Sequence, residues 1–345
     1  MINLYNYPRN KLEELLVNDY KQTRFRATQL FTWIYLKGVK DFSLMSDISK
    51  DFRNILIKDF SLEEPTIYKK EESNDGTIKF LTKLEDNNLV ETVIMPYRYG
   101  NVLCVSSQVG CNMGCAFCAS GLLKKKRNLE TSEMIGELIL ANKIIAPKKI
   151  SHIVVMGTGE PFDNYDNVMN FIRIINDPKA FEIGARHITV STCGIVDKIR
   201  EYAKEGIQIN LAISLHASND ETRNKLMKIN KRYPLNELIS AVKDYVKIAD
   251  RRVTFEYILL KDINDSYDDA VSLAKLIKGV LAYVNLIPYN EVKENDFKRS
   301  DKKRIHEFMD WLTKLGVHAQ IRKEFGSDIS AACGQLRAKV KNEKA

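Results

Sequence analysis

The sequence has no long apolar run, no internal repeat and no Pro- or Ser-rich linker. Its longest apolar stretches, such as 277–289, are interrupted by Lys278, Gly279 and Asn285. A membrane-spanning helix needs about 20 nearly unbroken apolar residues, so none is expected. The first ten residues also lack the apolar segment of a secretory signal peptide. We therefore expect a cytoplasmic protein with no membrane partner.

Cysteine is scarce, with six in 345 residues. That number is too low for a secreted domain held together by disulfides. Three of the six nevertheless fall within eight residues, at Cys111, Cys115 and Cys118. Such clustering in a cytoplasmic chain indicates metal or redox chemistry.

The overall composition is that of an ordinary globular protein, with 44% hydrophobic and 28% charged residues. It excludes a disordered chain and a collagen-like fibre, and the length allows two domains or one large α/β domain with an appendage. Lys and Arg number 53 against 45 Asp and Glu, a net charge of +8. Basic runs at 124–127 and 337–344 are most simply solvated faces, but the overall excess favours an anionic partner, with nucleic acid first.

The spacing of apolar residues changes along the chain. The first 60 or so residues show helical spacing, for example at Ala27, Leu30, Phe31 and Ile34. The β-rich runs 77–83 and 89–95, separated by Glu85–Asn88, then predict a hairpin. Residues 1–95 are therefore expected to form a small α+β accessory domain.

After that domain, predicted strands and helices alternate. The strands are expected at 102–107, 152–156, 187–192, 207–215, 253–260, 282–289 and 317–322. The helices are expected at 132–143, 167–176, 196–204, 235–249, 270–278 and 301–315, the last with Ser300 as N-cap. Such βα units require a parallel sheet, as a partial barrel or a doubly wound sheet, with the site at the carboxyl ends of the strands.

The cysteine loop follows the first of these strands with the spacing C-x3-C-x2-C. Three thiolates on a tight loop can bind three irons of a [4Fe–4S] cluster, which leaves the fourth iron open for a small molecule. Structural zinc is the alternative, but it takes four Cys or His ligands, and no fourth Cys or His has the spacing of a zinc finger. The pattern therefore favours a cluster.

This loop resembles that of the radical S-adenosylmethionine (SAM) superfamily, and the wider sequence resembles the RlmN-type RNA adenosine carbon-2 methyltransferases over nearly its whole length. The segments that carry the resemblance are 90–93, 103–111, 157–161, 191–194, 214–216, 285–290 and 332–336. The resemblance implies an α/β fold with a partial (β/α)6 barrel. It also implies an RNA-binding domain at 1–95, the barrel at 96–330, and a C-terminal segment at 331–345 with a basic tail.

The resemblance implies a [4Fe–4S] cluster held by Cys111, Cys115 and Cys118, and two SAM molecules consumed per methylation. Cys333 would accept a methyl group from the first SAM, and a deoxyadenosyl radical made from the second would remove a hydrogen from it. The resulting carbon radical would add to carbon 2 of adenine. Glu91 would act as general base, and Cys104 would release the product by forming a disulfide with Cys333. Cys193 is given no role beyond packing.

The segment Gly157–Pro161 follows a strand, and its glycines allow a ligand to approach the backbone closely. A G-x-G pattern alone more often marks a simple turn. The resemblance makes it the SAM-binding loop, although Thr158 stands where relatives usually have Met. The SAM contacts that it implies are Gly159, Glu160, Ser191, Ser214, Leu215, His216 and Asn290.

The implied substrates are an adenosine in the peptidyl-transferase centre of 23S rRNA and the adenosine next to the anticodon of tRNA. A flavodoxin- or ferredoxin-type protein would donate electrons to a monomeric enzyme. Two alternatives remain: methylation at carbon 8 of the same rRNA adenosine, and a non-catalytic RNA-binding iron–sulfur protein. Enzymes that methylate carbon 8 tend to have Ala where Pro161 stands. A non-catalytic RNA-binding protein would leave Glu160, Cys104 and Cys333 without roles.

Overall fold

Seven parallel strands and the helices between them form the larger part of the chain. The structure is a computed structural model that describes residues 1–292 and 295–336. The helices are α1 (Arg9–Asn18), α2 (Phe25–Phe31), α3 (Lys50–Asp59), α4 (Thr131–Ile145), α5 (Tyr165–Asn176), α6 (Val196–Tyr202), α7 (Asp220–Leu226), α8 (Leu235–Ala249), α9 (Tyr267–Leu276) and α10 (Lys302–Lys314).

The strands are β1 (Ile2–Asn3), β2 (Phe60–Ser61), β3 (Thr66–Glu72), β4 (Ile78–Lys83), β5 (Leu89–Tyr97), β6 (Gly100–Val105), β7 (Gln108–Val109), β8 (Arg127–Asn128), β9 (Ile150–Val155), β10 (Ile188–Thr192), β11 (Asn210–Ser214), β12 (Val253–Leu259), β13 (Ala282–Pro288) and β14 (Ala319–Ile321). Ten of them form one sheet in the order β14-β13-β12-β11-β10-β9-β6-β5-β4-β3. The pairs from β6 to β14 are parallel, and those from β3 to β6 are antiparallel.

This sheet confirms the predicted α/β class and the partial barrel, since its two outer strands, β14 and β3, are not paired with each other. All seven residues of β12 are buried, as expected of a parallel strand covered on both faces. The predicted hairpin is formed by β4 and β5 and is closed where the Leu84 N–H donates to the Asn88 carbonyl over 2.9 Å. It joins the barrel sheet directly, because Val93 of β5 pairs with Cys104 of β6.

The helices α1 to α3 pack into the same hydrophobic core as the barrel. At the other end of the chain, α10 is capped by Asp301, whose side chain accepts from the Arg304 N–H. The prediction of Ser300 as N-cap is wrong because the Ser300 hydroxyl donates to Asp265 over 2.6 Å instead. In the described part of the chain, no helix combines the length and the apolar character needed to cross a membrane.

Candidate functional site

A cleft of about 900 Å³ lies at the carboxyl ends of the parallel strands, where the sequence predicted the site. Eight of the predicted site residues line it: Cys111, Cys115, Cys118, Gly159, Glu160, Ser191, Ser214 and His216. Cys333, from the segment after β14, also reaches the cleft. Residues 200 positions apart in sequence are thus brought to one surface by the order of the strands.

The cysteine loop leaves β7 and is held by backbone hydrogen bonds. The Ala116 N–H donates to the Leu226 carbonyl over 2.9 Å, and the Cys118 N–H to the Cys115 carbonyl over 3.1 Å. Burial raises the pKa of the Cys111 thiol to about 12 and that of Cys115 well above its usual value. A bound cation is therefore needed if these thiols are to ionise.

The donor set fits an iron–sulfur cluster. Within residues 1–292 and 295–336, no three Cys, His, Asp or Glu side chains converge as ligands of a single metal ion. A cluster does not require that convergence, because each thiolate binds a different iron. The three cysteines are partly exposed to the cleft, and sulfur is the ligand that such clusters take.

The loop after β9 needs glycine at position 159. Gly159 has φ +116°, and a Cβ there would lie 2.7 Å from Gln108 Cβ and 2.7 Å from Ser107 Oγ. The next residue, Glu160, is buried and accepts from the Phe162 N–H over 3.0 Å and from the Cys193 N–H over 2.8 Å. Burial raises the pKa of Glu160, and a ligand ammonium group beside it would stabilise the ionised form.

The ends of β10 and β11 bring two hydroxyl groups together, with Ser191 Oγ 3.4 Å from Ser214 Oγ. His216 follows with φ +60°, and its Nδ1 accepts from the Ile258 N–H over 3.1 Å, so a neutral ring carries its proton on Nε2. Burial lowers the pKa of His216 to about 3, which keeps the ring neutral. Leu215 differs from its neighbours because its side chain lies in the hydrophobic core and does not line the cleft.

A second, smaller cavity adjoins the first and is lined by both Cys104 and Cys333. Cys333 lines both cavities, and so do Met156 and Arg322. Asn290 lines the second cavity, where its Nδ2 donates to the Cys333 carbonyl over 3.4 Å. Cys104 is 5% exposed, and burial raises its pKa far above the usual value.

All six cysteines are free thiols. The Cys104–Cys333 disulfide that the resemblance implied is therefore absent from this structure. The two thiols share a cavity, and both are within the electrostatic range of Arg322.

Glu91 lies on β5 and is 4% exposed, where the sequence alone would suggest a solvent-facing carboxylate. Its Oε1 is 3.9 Å from Lys79 Nζ, and its main-chain carbonyl accepts from Ser106 Oγ over 2.8 Å. Lys79 also donates to the carbonyl of Ile329, four residues before Cys333. Glu91 and the C-terminal loop are therefore linked through one buried cation.

Sequence reasoning missed several residues of the site. Arg322 is 3.7 Å from Glu256 Oε2 and 3.9 Å from Met156 Sδ, in the floor shared by the two cavities. Arg223 is fully buried and donates to the carbonyls of Leu215, Cys193 and Ser214. The position of Arg322 immediately after the last strand was the one signal that could have pointed to it.

Cys193 and the basic run 124–127 also make contacts that the sequence did not predict. Cys193 lines the first cleft and its thiol hydrogen-bonds to Glu160, so its contacts go beyond apolar packing. In the basic run, Lys125 pairs with Asp163 over 2.7 Å, and Arg127 pairs with both Asp86 and Glu133. The second basic run, 337–344, lies outside the described residues.

Comparison with known proteins agrees with the fold and the site described above. Residues 105–274 match the family model of the radical SAM superfamily, and residues 2–61 match the N-terminal domain of a ribosomal RNA large subunit methyltransferase. A crystal structure of a radical SAM methyltransferase from Sphaerobacter thermophilus has a TM-score of 0.90 and 42% identity, covering 98% of this chain and 100% of that one.

Curated relatives match at full length. A probable dual-specificity RNA methyltransferase RlmN from Spiroplasma citri is 52% identical over 342 residues, which is 98% of each chain. One from Enterococcus faecalis is 50% identical over 349 residues, covering 99% of this chain and 98% of the relative. One from Streptococcus pyogenes serotype M2 is 50% identical, covering 98% and 96%. The chain therefore belongs to the RlmN family of dual-specificity RNA methyltransferases, within the radical SAM superfamily.

Proposed function

We propose that this enzyme methylates carbon 2 of adenosine in the peptidyl-transferase centre of 23S rRNA and next to the anticodon of tRNA, consuming two SAM molecules per methyl group. The observation that carries the proposal is the position of Cys333. It lines the cleft that holds the cysteine loop and the SAM-binding loop, and also the cavity that holds Cys104. A methyl carrier must reach a methyl donor and a releasing thiol, and this residue is placed between both.

Carbon 2 of adenine lies between two ring nitrogens and is electron-poor, so it does not attack the electrophilic methyl group of SAM. A carbon-centred radical can add to it. Cys111, Cys115 and Cys118 would hold a [4Fe–4S] cluster, which would supply the electron for the reductive cleavage of SAM to methionine and a 5′-deoxyadenosyl radical. Gly159, Glu160, Ser191, Ser214 and His216 line the cleft that would hold SAM.

Cys333 has two tasks in this scheme. Its thiolate takes a methyl group from the first SAM, which leaves as S-adenosylhomocysteine. The deoxyadenosyl radical from the second SAM then removes one hydrogen atom from the S-methyl group and becomes 5′-deoxyadenosine. The S-methylene radical adds to carbon 2 of adenine, which links protein and RNA through one carbon.

Glu91 and Cys104 complete the reaction. Glu91 takes the proton from carbon 2 while a one-electron acceptor, a role that an oxidised iron–sulfur cluster at the three cysteines would fill, takes one electron from the adduct, so the ring is restored. The thiolate of Cys104 then attacks the sulfur of Cys333, the bond from that sulfur to carbon breaks, and the carbon takes a proton to become a methyl group. The two cysteines are left as a disulfide, which two electrons and two protons from an external reductant reopen before the next cycle.

We also propose that a flavodoxin- or ferredoxin-type protein delivers the electrons and that a single chain is sufficient. The partial exposure of the three cluster cysteines in an open cleft supports the first point. A cytoplasmic location follows from the proposed RNA substrates.

Mass spectrometry of nucleosides tests the proposed reaction. RNA from a strain that lacks this protein is incubated with the reconstituted enzyme, SAM and a reductant. We expect 2-methyladenosine in both 23S rRNA and tRNA, together with 5′-deoxyadenosine. The appearance of 8-methyladenosine would move the reaction to carbon 8, and the absence of deoxyadenosine would leave a non-catalytic RNA-binding protein.

A further inference from the structure

Glu137 is a buried acid to which the proposed reaction gives no role. It lies on α4, the helix that packs against β6, and its exposed fraction is 0%. Its Oε2 accepts from Thr92 Oγ1 over 2.5 Å and from the Ser106 N–H over 3.2 Å, whereas its Oε1 is buried without a hydrogen-bond partner. A buried carboxylate is costly unless a cation compensates it.

No such cation is present. Within the described ranges, no Lys, Arg or His lies at ion-pair distance from Glu137. The ionisable groups that interact with it electrostatically are Glu133 on its own helix and Cys104 on β6, whereas the side chain of Glu91 lies on the opposite face of β5 from that of Thr92. The hydroxyl of Thr82 on β4, 3.4 Å from that of Thr92, adds no charge. Burial and the nearby Glu133 outweigh the hydrogen bonds donated by Thr92 and Ser106, which stabilise the ionised form, so the neutral, protonated acid is favoured.

Both residues that donate to Glu137, Thr92 and Ser106, are connected to other residues of the site. Thr92 directly follows Glu91 on β5. Ser106 donates through its hydroxyl to the Glu91 carbonyl over 2.8 Å, and the same oxygen accepts from the Thr158 N–H, in the SAM-binding loop, over 3.0 Å. One carboxyl group therefore joins α4, the Glu91 strand and the end of β6.

We propose that Glu137, in its protonated form, is a positioning residue that holds the Glu91 strand and Ser106 in register, and that its ionisation limits RNA methylation on the alkaline side. The link to methylation rests on the function proposed above, because it acts through Glu91. Ionisation would place a negative charge near Cys104, whose thiolate it would disfavour.

The direction of the pH dependence follows from the burial. Burial raises the pKa of Glu137 from its ordinary value of 4.5 to about 8. The folded chain therefore binds more protons than the unfolded chain between these two values, and stability falls as the pH rises through that window. Below this pH window Glu137 is protonated in both the folded and the unfolded chain, and above it Glu137 is ionised in both. Its ionisation therefore changes the stability only within the window.

Glu137→Gln tests the proposal, since the amide has the shape of the protonated acid and cannot ionise. We expect the melting temperature of the variant, relative to the native chain, to rise steadily between pH 5 and pH 8. The exposed acid Glu14 gives the matched control: Glu14→Gln removes the same charge and should show no such trend. This measurement needs no RNA, so it stands even if the proposed reaction fails.

RNA methylation is then measured at single turnover across the same pH range. At about pH 9, one unit above a pKa of about 8, roughly one tenth of the native protein carries the proton on Glu137. The ratio of the Glu137→Gln rate to the native rate should therefore be about tenfold higher at about pH 9 than at pH 7. Thr92→Val, which removes one donor, should lower the rate at every pH. The proposal is overturned if the native chain and Glu137→Gln show the same pH dependence both of the melting temperature and of the methylation rate. A native chain that makes no methylated adenosine at any pH would instead overturn the proposed function.

Discussion

Lys79 Nζ lies 3.9 Å from Glu91 Oε1, and the same ammonium group donates to the carbonyl of Ile329 in the loop that leads to Cys333. It also lies 3.0 Å from Glu71 Oε2, so one buried cation serves two carboxylates and a carbonyl. The proposed general base and the proposed methyl carrier are thus held relative to each other by a residue on β4, outside the parallel barrel strands.

Lys79→Met tests this relationship. The substitution removes the ammonium group that contacts both Glu91 and Glu71, and breaking a buried ion pair costs about 3 kcal/mol. We expect that loss in urea unfolding, together with a fall in RNA methylation, because the Ile329 contact is lost as well. The exposed Lys70 on β3 is the control: Lys70→Met should change the free energy of unfolding by less than about 0.5 kcal/mol. Equal losses in the two variants would refute the role of Lys79.

The cluster ligands are tested by iron content. Cys111→Ala, Cys115→Ala and Cys118→Ala should each lose the brown colour and most of the bound iron and sulfide, since each thiolate holds one iron. Cys193→Ala is the matched control because Cys193 lines the same cleft but lies outside the loop. Full iron content with deoxyadenosine production in any loop variant would contradict the assignment, as would the loss of iron in Cys193→Ala.

Gly159→Ala should weaken SAM binding. The φ of +116° is strained for alanine, and the added Cβ would come within 2.7 Å of Gln108 and Ser107. Gln108 accepts from the Glu160 N–H, so a shift there displaces Glu160. A loss of about 1–3 kcal/mol in binding free energy through the displaced Glu160 corresponds to a roughly 5- to 150-fold loss of affinity, measured by calorimetry. Gly206, with φ +69° and nothing within 4 Å of a Cβ, gives the control: Gly206→Ala should lose stability but not SAM affinity.

RNA binding should depend on salt. About four phosphate contacts would give a slope of roughly −3 to −4 in a plot of log affinity against log salt. Lys124 is exposed, and Lys124→Ala should reduce the slope by about 1. Arg127 is committed to Asp86 and Glu133, so Arg127→Ala should lower stability and leave the slope unchanged. Binding that does not respond to salt would contradict an electrostatic interface.

The parts of the site that are close in sequence were predictable, and those that depend on distant contacts were not. The spacing of Cys111, Cys115 and Cys118 and the strands before Gly159 and Ser191 are local patterns, and the structure places all of them at one cleft. The resemblance supplied Cys333 and Cys104, whose shared cavity is a product of the fold.

Long-range pairing explains what was missed. Nothing in the local sequence shows that Lys125 and Arg127 of the basic run meet Asp163 and Asp86. The same holds for Glu137, which lies on a largely apolar and buried helix and is fully buried where β5 and β6 pack against α4. Ion pairs and buried acids of this kind are fixed by tertiary contacts, which periodicity does not encode.

The sharpest prediction separates two cysteines that share one cavity. If Cys333 carries the methyl group, Cys333→Ala should produce neither methylated protein nor methylated RNA. Cys104 acts only after the carbon bond to adenine has formed, so Cys104→Ala should still be methylated at Cys333 and should still add to the RNA. It should then stall as a covalent protein–RNA adduct, because a thiolate is needed to attack the Cys333 sulfur.

The adduct is detected as RNA that stays on the Cys104→Ala protein after denaturation. Neither packing nor cluster binding by Cys104 would produce such a species, so its appearance identifies the releasing thiol. Cys193→Ala is the control, since Cys193 is also buried but lines the first cleft and not the second cavity. Free methylated RNA from the Cys104 variant, or an adduct found with Cys193→Ala alone, would assign the release step to another residue, because the bond between the Cys333 sulfur and the transferred carbon would then be broken without Cys104.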